Sequence, residues 1–412
     1  MTCFTLFKGY IPARAQGAES FVTRPWTSNR GWPHSWATQR TVEFAAIASQ
    51  SFNAEPASPA VMAGILRDAR VLVEDPAEAS SLHNKGYYGE PVSGGGLRLS
   101  LLEAVYLVET GRLAVERDSA PLSMRALVRA AAQAHGGFEI RYVVYRDLRQ
   151  RGYVAIEGTP PADFVVFPRG GAPKRTPAKY WVSAISERSV FDLDALADHL
   201  HRVSGIRKQL LLGIVDEESD LTYYVVREAE PRGRPPTAPA GRIATAHLLE
   251  DRAMVVDEAE AQALHADGFY GKIVGRRVQL SLIETAHLLK HGAIELRNAD
   301  TDRKIALPRL LAEARRVQPD FDLRLRVYED LKARGIVAKT GFKYGSHFRA
   351  YEGDPDRTHA KYLVHALPAK YRGMWPEVIR AVRLAHGVKK QFLLGAMAEG
   401  SVRYVKLERV RP

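Results

Sequence analysis

Tyr351, His359 and Lys390 bring a phenol, an imidazole and an ammonium into one part of the sequence, within Phe348-Arg-Ala-Tyr351-Glu-Gly-Asp-Pro-Asp-Arg-Thr-His359-Ala-Lys-Tyr-Leu-Val364 and Val382-Arg383-Leu-Ala-His-Gly-Val-Lys-Lys390. Groups of these types suffice for cleavage of RNA without a metal. Such a reaction takes a proton from a ribose 2′-OH, stabilises charge on the phosphorane and returns a proton to the leaving oxygen. The local pattern puts the three groups on two strands and one helix-to-strand junction. Their use therefore depends on elements that gather those ends.

The chain has 412 residues, too many for one ordinary domain. Its net charge of +12 and pI near 9.6 favour a polyanion as partner, since each phosphate neutralised releases a counterion. A basic protein with a merely solvated surface is the plain alternative. Cys3 is the single cysteine, which excludes an intrachain disulfide and a cysteine-based zinc site and fits a reducing cytoplasm. No apolar run reaches the ~20 residues that span a bilayer, so no membrane is expected. Residues 1–61 lack periodicity and a signal-peptide core and are expected to be a disordered extension, with Met62 a sensible alternative start. Trp26, Trp32 and Trp36 in that stretch could stack on bases.

One unit is written twice. Gly86-Tyr-Tyr-Gly89 returns as Gly268-Phe-Tyr-Gly271, and Leu99-Ser-Leu-Leu-Glu-Ala104 as Leu280-Ser-Leu-Ile-Glu-Thr285. Val144-Tyr-Arg-Asp-Leu matches Val327-Tyr-Glu-Asp-Leu, Thr176-Pro-Ala-Lys-Tyr180 matches Thr358-His-Ala-Lys-Tyr362, and Gly205-Ile-Arg-Lys-Gln209 matches Gly387-Val-Lys-Lys-Gln391. The reading is a first repeat over 62–229, a Pro/Gly-rich linker over 230–241, and a second repeat divided into 242–315 and 316–412. Each repeat is read as a two-part, mixed α/β unit. Its first part has a short strand, a turn at the Gly-Tyr/Phe-Tyr-Gly element, a strand and a helix. Its second part opens with a helix that stops at Gly152 or Gly335. Strands at 164–167 and 179–185 follow, then a helix from about Asp192 to Gly205 and a buried strand 209–215; repeat two has a helix from about Pro376 to Gly387 and a strand from Gln391.

The copies differ where chemistry would sit. Phe167 stands opposite Tyr351 and Pro177 opposite His359, whereas Lys208 faces Lys390. Copy one thus reads as a scaffold and copy two as the active half. The comparison does not single out His359, because His347, His365 and His386 also lack counterparts, facing Asp163, Ser183 and Ser204.

Val327-Tyr-Glu-Asp-Leu-Lys-Ala-Arg-Gly335, Lys339-Thr-Gly-Phe-Lys-Tyr-Gly-Ser-His-Phe348, His359-Ala-Lys-Tyr-Leu-Val364 and Val382-Arg-Leu-Ala-His-Gly-Val-Lys-Lys390 resemble the archaeal tRNA-splicing endonucleases, most of all the two-repeat, homodimeric type. The resemblance covers roughly 62–412. It implies a nuclease-like second part with a mixed central sheet flanked by helices, and cleavage of precursor tRNA at a bulge-helix-bulge to a 2′,3′-cyclic phosphate and a 5′-OH, without cofactor or metal. It implies Tyr351 as general base, in surroundings that must favour its phenolate, His359 as general acid and Lys390 as the charge-stabilising group. Arg383 and Arg409 become the pair that clamps a flipped-out bulge base, with Arg403, Lys406 and Arg411 as competitors for the second place. Asp216, Glu217, Glu218 and Asp220, absent from the matching turn of copy two, become an acidic loop that docks on a partner in a homodimer. Two alternatives stay open at this point: a non-catalytic RNA-binding or structural subunit, and a metal-dependent nuclease.

Overall fold

The repeated motifs belong to elements that recur in the same order in both copies. The computed structural model describes residues 62–234, 243–398 and 400–412; residues 1–61, 235–242 and 399, and with them the expected extension and part of the expected linker, lie outside the described residues. Repeat one runs β1 (Met62–Arg67), β2 (Arg70–Val73), α1 (Pro76–Gly86), β3 (Glu90–Pro91), β4 (Leu97–Ser100), α2 (Leu101–Glu109), β5 (Leu113–Arg117), β6 (Ala120–Pro121) and α3 (Met124–Ala134). Its second part adds α4 (Phe138–Gln150), β7 (Val154–Glu157), β8 (Phe164–Phe167), β9 (Tyr180–Ser186), β10 (Val190–Asp192), α5 (Leu193–Gly205), β11 (Gln209–Val215) and β12 (Leu221–Ala229). Repeat two answers with β13 (Ala244–Leu248), β14 (Arg252–Val255), α6 (Glu258–Gly268), β15 (Lys272–Val274), β16 (Arg277–Ser281), α7 (Leu282–Lys290), β17 (Ile294–Asn298) and α8 (Leu307–Val317). Then come α9 (Phe321–Ala333), β18 (Val337–Thr340), β19 (Phe348–Tyr351), β20 (Tyr362–Pro368), β21 (Arg372–Met374), α10 (Trp375–Gly387), β22 (Gln391–Ala398) and β23 (Ser401–Val410).

Among the described residues the chain divides into two compact units, 62–187 with 203–223, and 188–202 with 224–412. In the first, one sheet has the order β3-β4-β2-β1-β5-β6 and another the order β11-β9-β8-β7. In the second, one sheet runs β15-β16-β14-β13-β17 and another β18-β19-β20-β22-β23-β12, while β10 pairs with β21. Registers repeat between the copies: Val154 pairs with Phe167 as Val337 pairs with Tyr351, and Gln209 with Tyr180 as Gln391 with Tyr362. The core of the second unit is continuous from the small N-terminal sheet (Ala246, Val278, Leu280) through α9 (Phe321, Tyr328) to the sheet that contains β19, β20 and β22 (Phe348, Val364, Leu393).

The Gly-Tyr/Phe-Tyr-Gly element, read from sequence as a plain turn, is the end of a helix. Asp75 and Asp257 cap α1 and α6 at their N-termini, and Tyr87 and Phe269 close them in the left-handed region, with φ of 53° and 56°. The neighbouring Leu-Ser-Leu-x-Glu motif is a capping box: the Ser281 hydroxyl accepts from the Glu284 N–H at 3.2 Å while Glu284 accepts the Ser281 N–H at 3.0 Å. Its second carboxylate oxygen accepts the Gly271 N–H at 2.8 Å. Gly271 has φ of +66°, and a Cβ there would lie 2.6 Å from the Gln279 carbonyl, so this position admits only glycine without strain. Ser100, Glu103 and Gly89 make the same set of bonds in repeat one. The two parts of each repeat are joined by a cation. The Arg149 guanidinium donates to the Gly86 carbonyl at 2.7 Å over the Tyr88 ring, and the Lys332 ammonium donates to the Gly268 carbonyl at 3.1 Å over Tyr270.

Two of the histidines that copy one lacks are His347 and His365. They are a buried pair with ring centroids 3.9 Å apart, and the Ala366 N–H donates to His347 Nδ1 at 3.0 Å. Burial, reinforced by Arg324, pushes the His347 imidazole down to about 3. Burial and then His347 itself push His365 down as well. Because the unfolded chain binds the His347 proton from about pH 6.5 while the folded chain resists it until about 3, the folded state binds fewer protons in that window. Stability must therefore fall as pH drops through it. We expect a loss of about 2 kcal/mol between pH 7 and pH 5 from His347 alone. Urea denaturation at both pH values checks it, and equal midpoints would refute it.

Candidate active site

Strand register gathers the three sequence candidates. Tyr351 is the last residue of β19; the Lys361 N–H donates to the Ala350 carbonyl at 3.0 Å, and the Gln391 N–H donates to the Lys361 carbonyl at 2.9 Å. The end of β19, the start of β20 and the start of β22 thus lie side by side. Lys390 stands one residue before β22, where its N–H reaches back to the Ala385 carbonyl of α10 at 2.9 Å. His359 is exposed in the loop that enters β20, and the next residue, Ala360, packs with Tyr351 and Val337 in a small buried cluster. Phenol, imidazole and ammonium therefore share one end of three neighbouring strands. In repeat one the same register carries Phe167, Pro177 and Lys208 to the corresponding end.

Tyr351 is 6% exposed, and its surroundings act against the phenolate. Burial raises the pKa, with Tyr344 and Asp356 adding to it, and only Arg349, 5.8 Å from the ring centroid, opposes. The sequence expectation that the site favours the ionised form is corrected accordingly: the ring is desolvated by Val337 and Ala360 more than it is served by cations. The Lys390 ammonium lies 5.7 Å from the centroid of the Tyr344 ring.

Tyr344 was missed in the sequence. It ends a single 3-10 turn, Phe342–Tyr344, in the loop between β18 and β19. It is the common neighbour of Tyr351 and Lys390. The repeat-one loop, Gly158-Thr-Pro-Pro-Ala-Asp163, has no aromatic ring. Comparing these two loops was the signal that could have found it.

Arg383, exposed on α10, donates from Nε to the Tyr224 hydroxyl at 3.3 Å. β22 and β23 are antiparallel with Phe392 opposite Leu407, so extending the register by two residues sets Arg409 opposite Lys390. Arg403 pairs with Ala396, deeper along the strands, and Lys406 is tied to Glu408 at 3.1 Å. Of the C-terminal cations compared by register, Arg409 is the one at the end occupied by Lys390.

The acidic loop follows β11. Asp216 Oδ1 accepts the N–H groups of Glu218 at 3.0 Å and Asp220 at 2.9 Å, closing the turn, while Glu217, Glu218 and Asp220 are exposed. Among the described residues one grouping could hold a metal ion, His287, His291 and Glu329. It lies on α7 and α9 rather than at the strand ends, and the Lys290 ammonium donates to both oxygens of Glu329 at 2.9 Å.

Two family models each match this chain twice. The model of the tRNA intron endonuclease catalytic C-terminal domain matches residues 138–223 and 321–404. That of the tRNA intron endonuclease N-terminal domain matches 62–128 and 244–311. Relatives called tRNA-splicing endonuclease include one from Methanococcoides burtonii, 39% identical over 85% of this chain and 99% of its own length. Others come from Methanosarcina acetivorans, 38% identical over 84% and 99%, and Halobacterium salinarum, 33% identical over 80% and 94%. With both domain types present twice and in the same order, the chain belongs to the tRNA intron endonuclease family.

Proposed function

We propose that this chain excises introns from precursor tRNA by cutting at bulge-helix-bulge junctions, as a metal-independent endoribonuclease of the tRNA-intron lyase type. The observation that carries the reading is the convergence of Tyr351, His359 and Lys390 on one sheet end in repeat two, against Phe167 and Pro177 in repeat one.

The ribose 2′-OH transfers its proton to the Tyr351 oxygen while its own oxygen attacks the adjacent phosphorus. Because burial holds the phenol pKa up, the minor phenolate fraction is the reactive one. Lys390 faces the phosphorane oxygens and stabilises their charge. As the P–O5′ bond breaks, His359 gives its proton to the leaving oxygen, leaving a 2′,3′-cyclic phosphate and a 5′-OH. Arg383 and Arg409 bracket an unpaired bulge base by stacking, and Phe342, 69% exposed in the Tyr344 loop, offers a further platform of that kind.

The test is cleavage, in EDTA, of a bulge-helix-bulge RNA with one 2′-deoxy substitution at a scissile site beside the unmodified RNA. Cleavage of the unmodified RNA to a cyclic phosphate, with the deoxy site intact, is expected. No cleavage in EDTA but cleavage with magnesium would overturn the metal-independent reading, and none under either condition would overturn the catalytic one.

The active form in this reading is a homodimer, docked through the acidic loop. Glu217→Lys, Glu218→Lys and Asp220→Lys together spare the turn made by Asp216. Sedimentation should then show monomers with weak cleavage; intact dimers of full activity would remove the docking role.

A further inference from the structure

The loop from Tyr351 to His359 is held at two points by the N-terminal part of the same repeat. Inside the loop, the Asp354 carbonyl accepts the N–H groups of Arg357 at 3.3 Å and Thr358 at 3.0 Å, and Asp354 Oδ1 accepts the Asp356 N–H at 2.8 Å. That leaves the Asp356 carboxylate pointing out of the loop, where it meets His265 Nε2 on α6 at 3.0 Å. The His265 ring stands edge-on to Phe269, with centroids 5.7 Å apart at 86°. Phe269 in turn packs on the cluster of Val337, Tyr351 and Ala360. One helix end thus meets a carboxylate in the middle of the loop and packs on the cluster that includes the residue that begins the loop and the residue that follows His359.

Repeat one supplies the control. Its loop makes the same backbone bonds, with the Ala172 carbonyl accepting from Arg175 at 3.2 Å and Thr176 at 2.9 Å, which aligns Ala172 with Asp354 and Lys174 with Asp356. His83 and Tyr87 keep the places of His265 and Phe269, with ring centroids 6.4 Å apart. Yet His83 Nδ1 meets the Tyr88 carbonyl at 3.1 Å instead of a carboxylate. The cross-link exists only in the copy that keeps the phenol and the imidazole.

We propose that His265 and Phe269, acting through Asp356 and Ala360, are positioning residues that set His359 and Tyr351 relative to one another; this rests on the catalytic reading above. A contact whose aspartate side chain is 67% exposed adds little to folding, so the fold does not require it. A displacement of about 1 Å in a reacting group, by contrast, costs up to about a hundredfold in rate.

The experiment measures single-turnover cleavage, RNA affinity and thermal midpoint for Asp356→Ala, His265→Ala, the double variant, and the exchange carrying His265→Asp with Asp356→His, beside Tyr351→Phe. Expected are rates about tenfold lower in each single variant, no further loss in the double, recovery in the exchange, and unchanged affinity and midpoint. If Asp356→Ala cleaves at the unaltered rate while Tyr351→Phe is inactive, the positioning role fails and the catalytic reading stands. If Tyr351→Phe cleaves normally, the catalytic reading fails and this inference with it. A loss that lies wholly in affinity or in thermal midpoint would also overturn positioning.

Discussion

Tyr351→Phe is expected to lower single-turnover cleavage by about a thousandfold while leaving RNA affinity and thermal stability unchanged. The magnitude is that of removing the general base proposed above from the step it would serve. Unchanged stability follows from the chain itself, since Phe167 occupies the same register position at 7% exposure in repeat one. The Tyr351 side chain packs on Val337 and Ala360 through its ring, and no hydroxyl contact is part of that packing. Lys390→Ala is expected to cost about a hundredfold, through loss of charge opposite the phosphorane, and His359→Ala about the same, through loss of the acid. A leaving group that needs no proton, such as a 5′-thio substitution, should restore cleavage by the His359 variant and not by the Tyr351 one. Normal cleavage by Tyr351→Phe, or rescue of the wrong variant, would reassign the base and the acid.

How much of this site the sequence discloses depends on which physical fact places each residue. Tyr351 and Lys390 stand at element ends, and element ends are written locally: alternation for β19, and apolar spacing followed by Gly387 for α10. The pairing of Arg409 with Lys390 comes from the β22–β23 register, a relation between distant residues that no local pattern encodes. Tyr351's raised pKa depends on burial by Ala360 and Val337, from the far side of a loop and from the neighbouring strand. α1 and α6 are hidden in the sequence for a different reason. Their only buried side chains are Ala79 and Leu82 in one, and Ala261 and Leu264 in the other, so the apolar period is nearly silent. What marks them is chemistry at the ends, Asp75-Pro76 and Asp257 before, and a left-handed aromatic after. The helix stops and the buried strand 209–215 were legible because glycine and an unbroken apolar run are local signals.

The motif most visible in both copies makes the largest demand on stability. Glu284→Ala is expected to destabilise the second unit by about 3–5 kcal/mol, the range for removing one partner of a buried charged pair. Glu284 is 7% exposed and accepts from the Ser281 hydroxyl at 2.9 Å, from the N–H groups of Gly271 and Ser281, and from the Lys339 ammonium at 3.3 Å. Alanine would strand two backbone donors beneath α7 and leave Lys339 without its carboxylate. That ammonium also donates to the carbonyls of Gly271, at 2.6 Å, and Phe269, so it carries the disturbance to the ring that packs on Tyr351. Glu284→Gln keeps one acceptor and the volume but not the charge, and should cost about 1–2 kcal/mol. The ordering separates capping from ion pairing: equal losses in both variants would assign the effect to the charge alone. Urea denaturation of the full chain, read at the repeat-two transition, measures it. A loss below about 1 kcal/mol in the alanine variant would mean that water or a neighbouring group replaces the carboxylate, and that Gly271 and Ser281 do not depend on it.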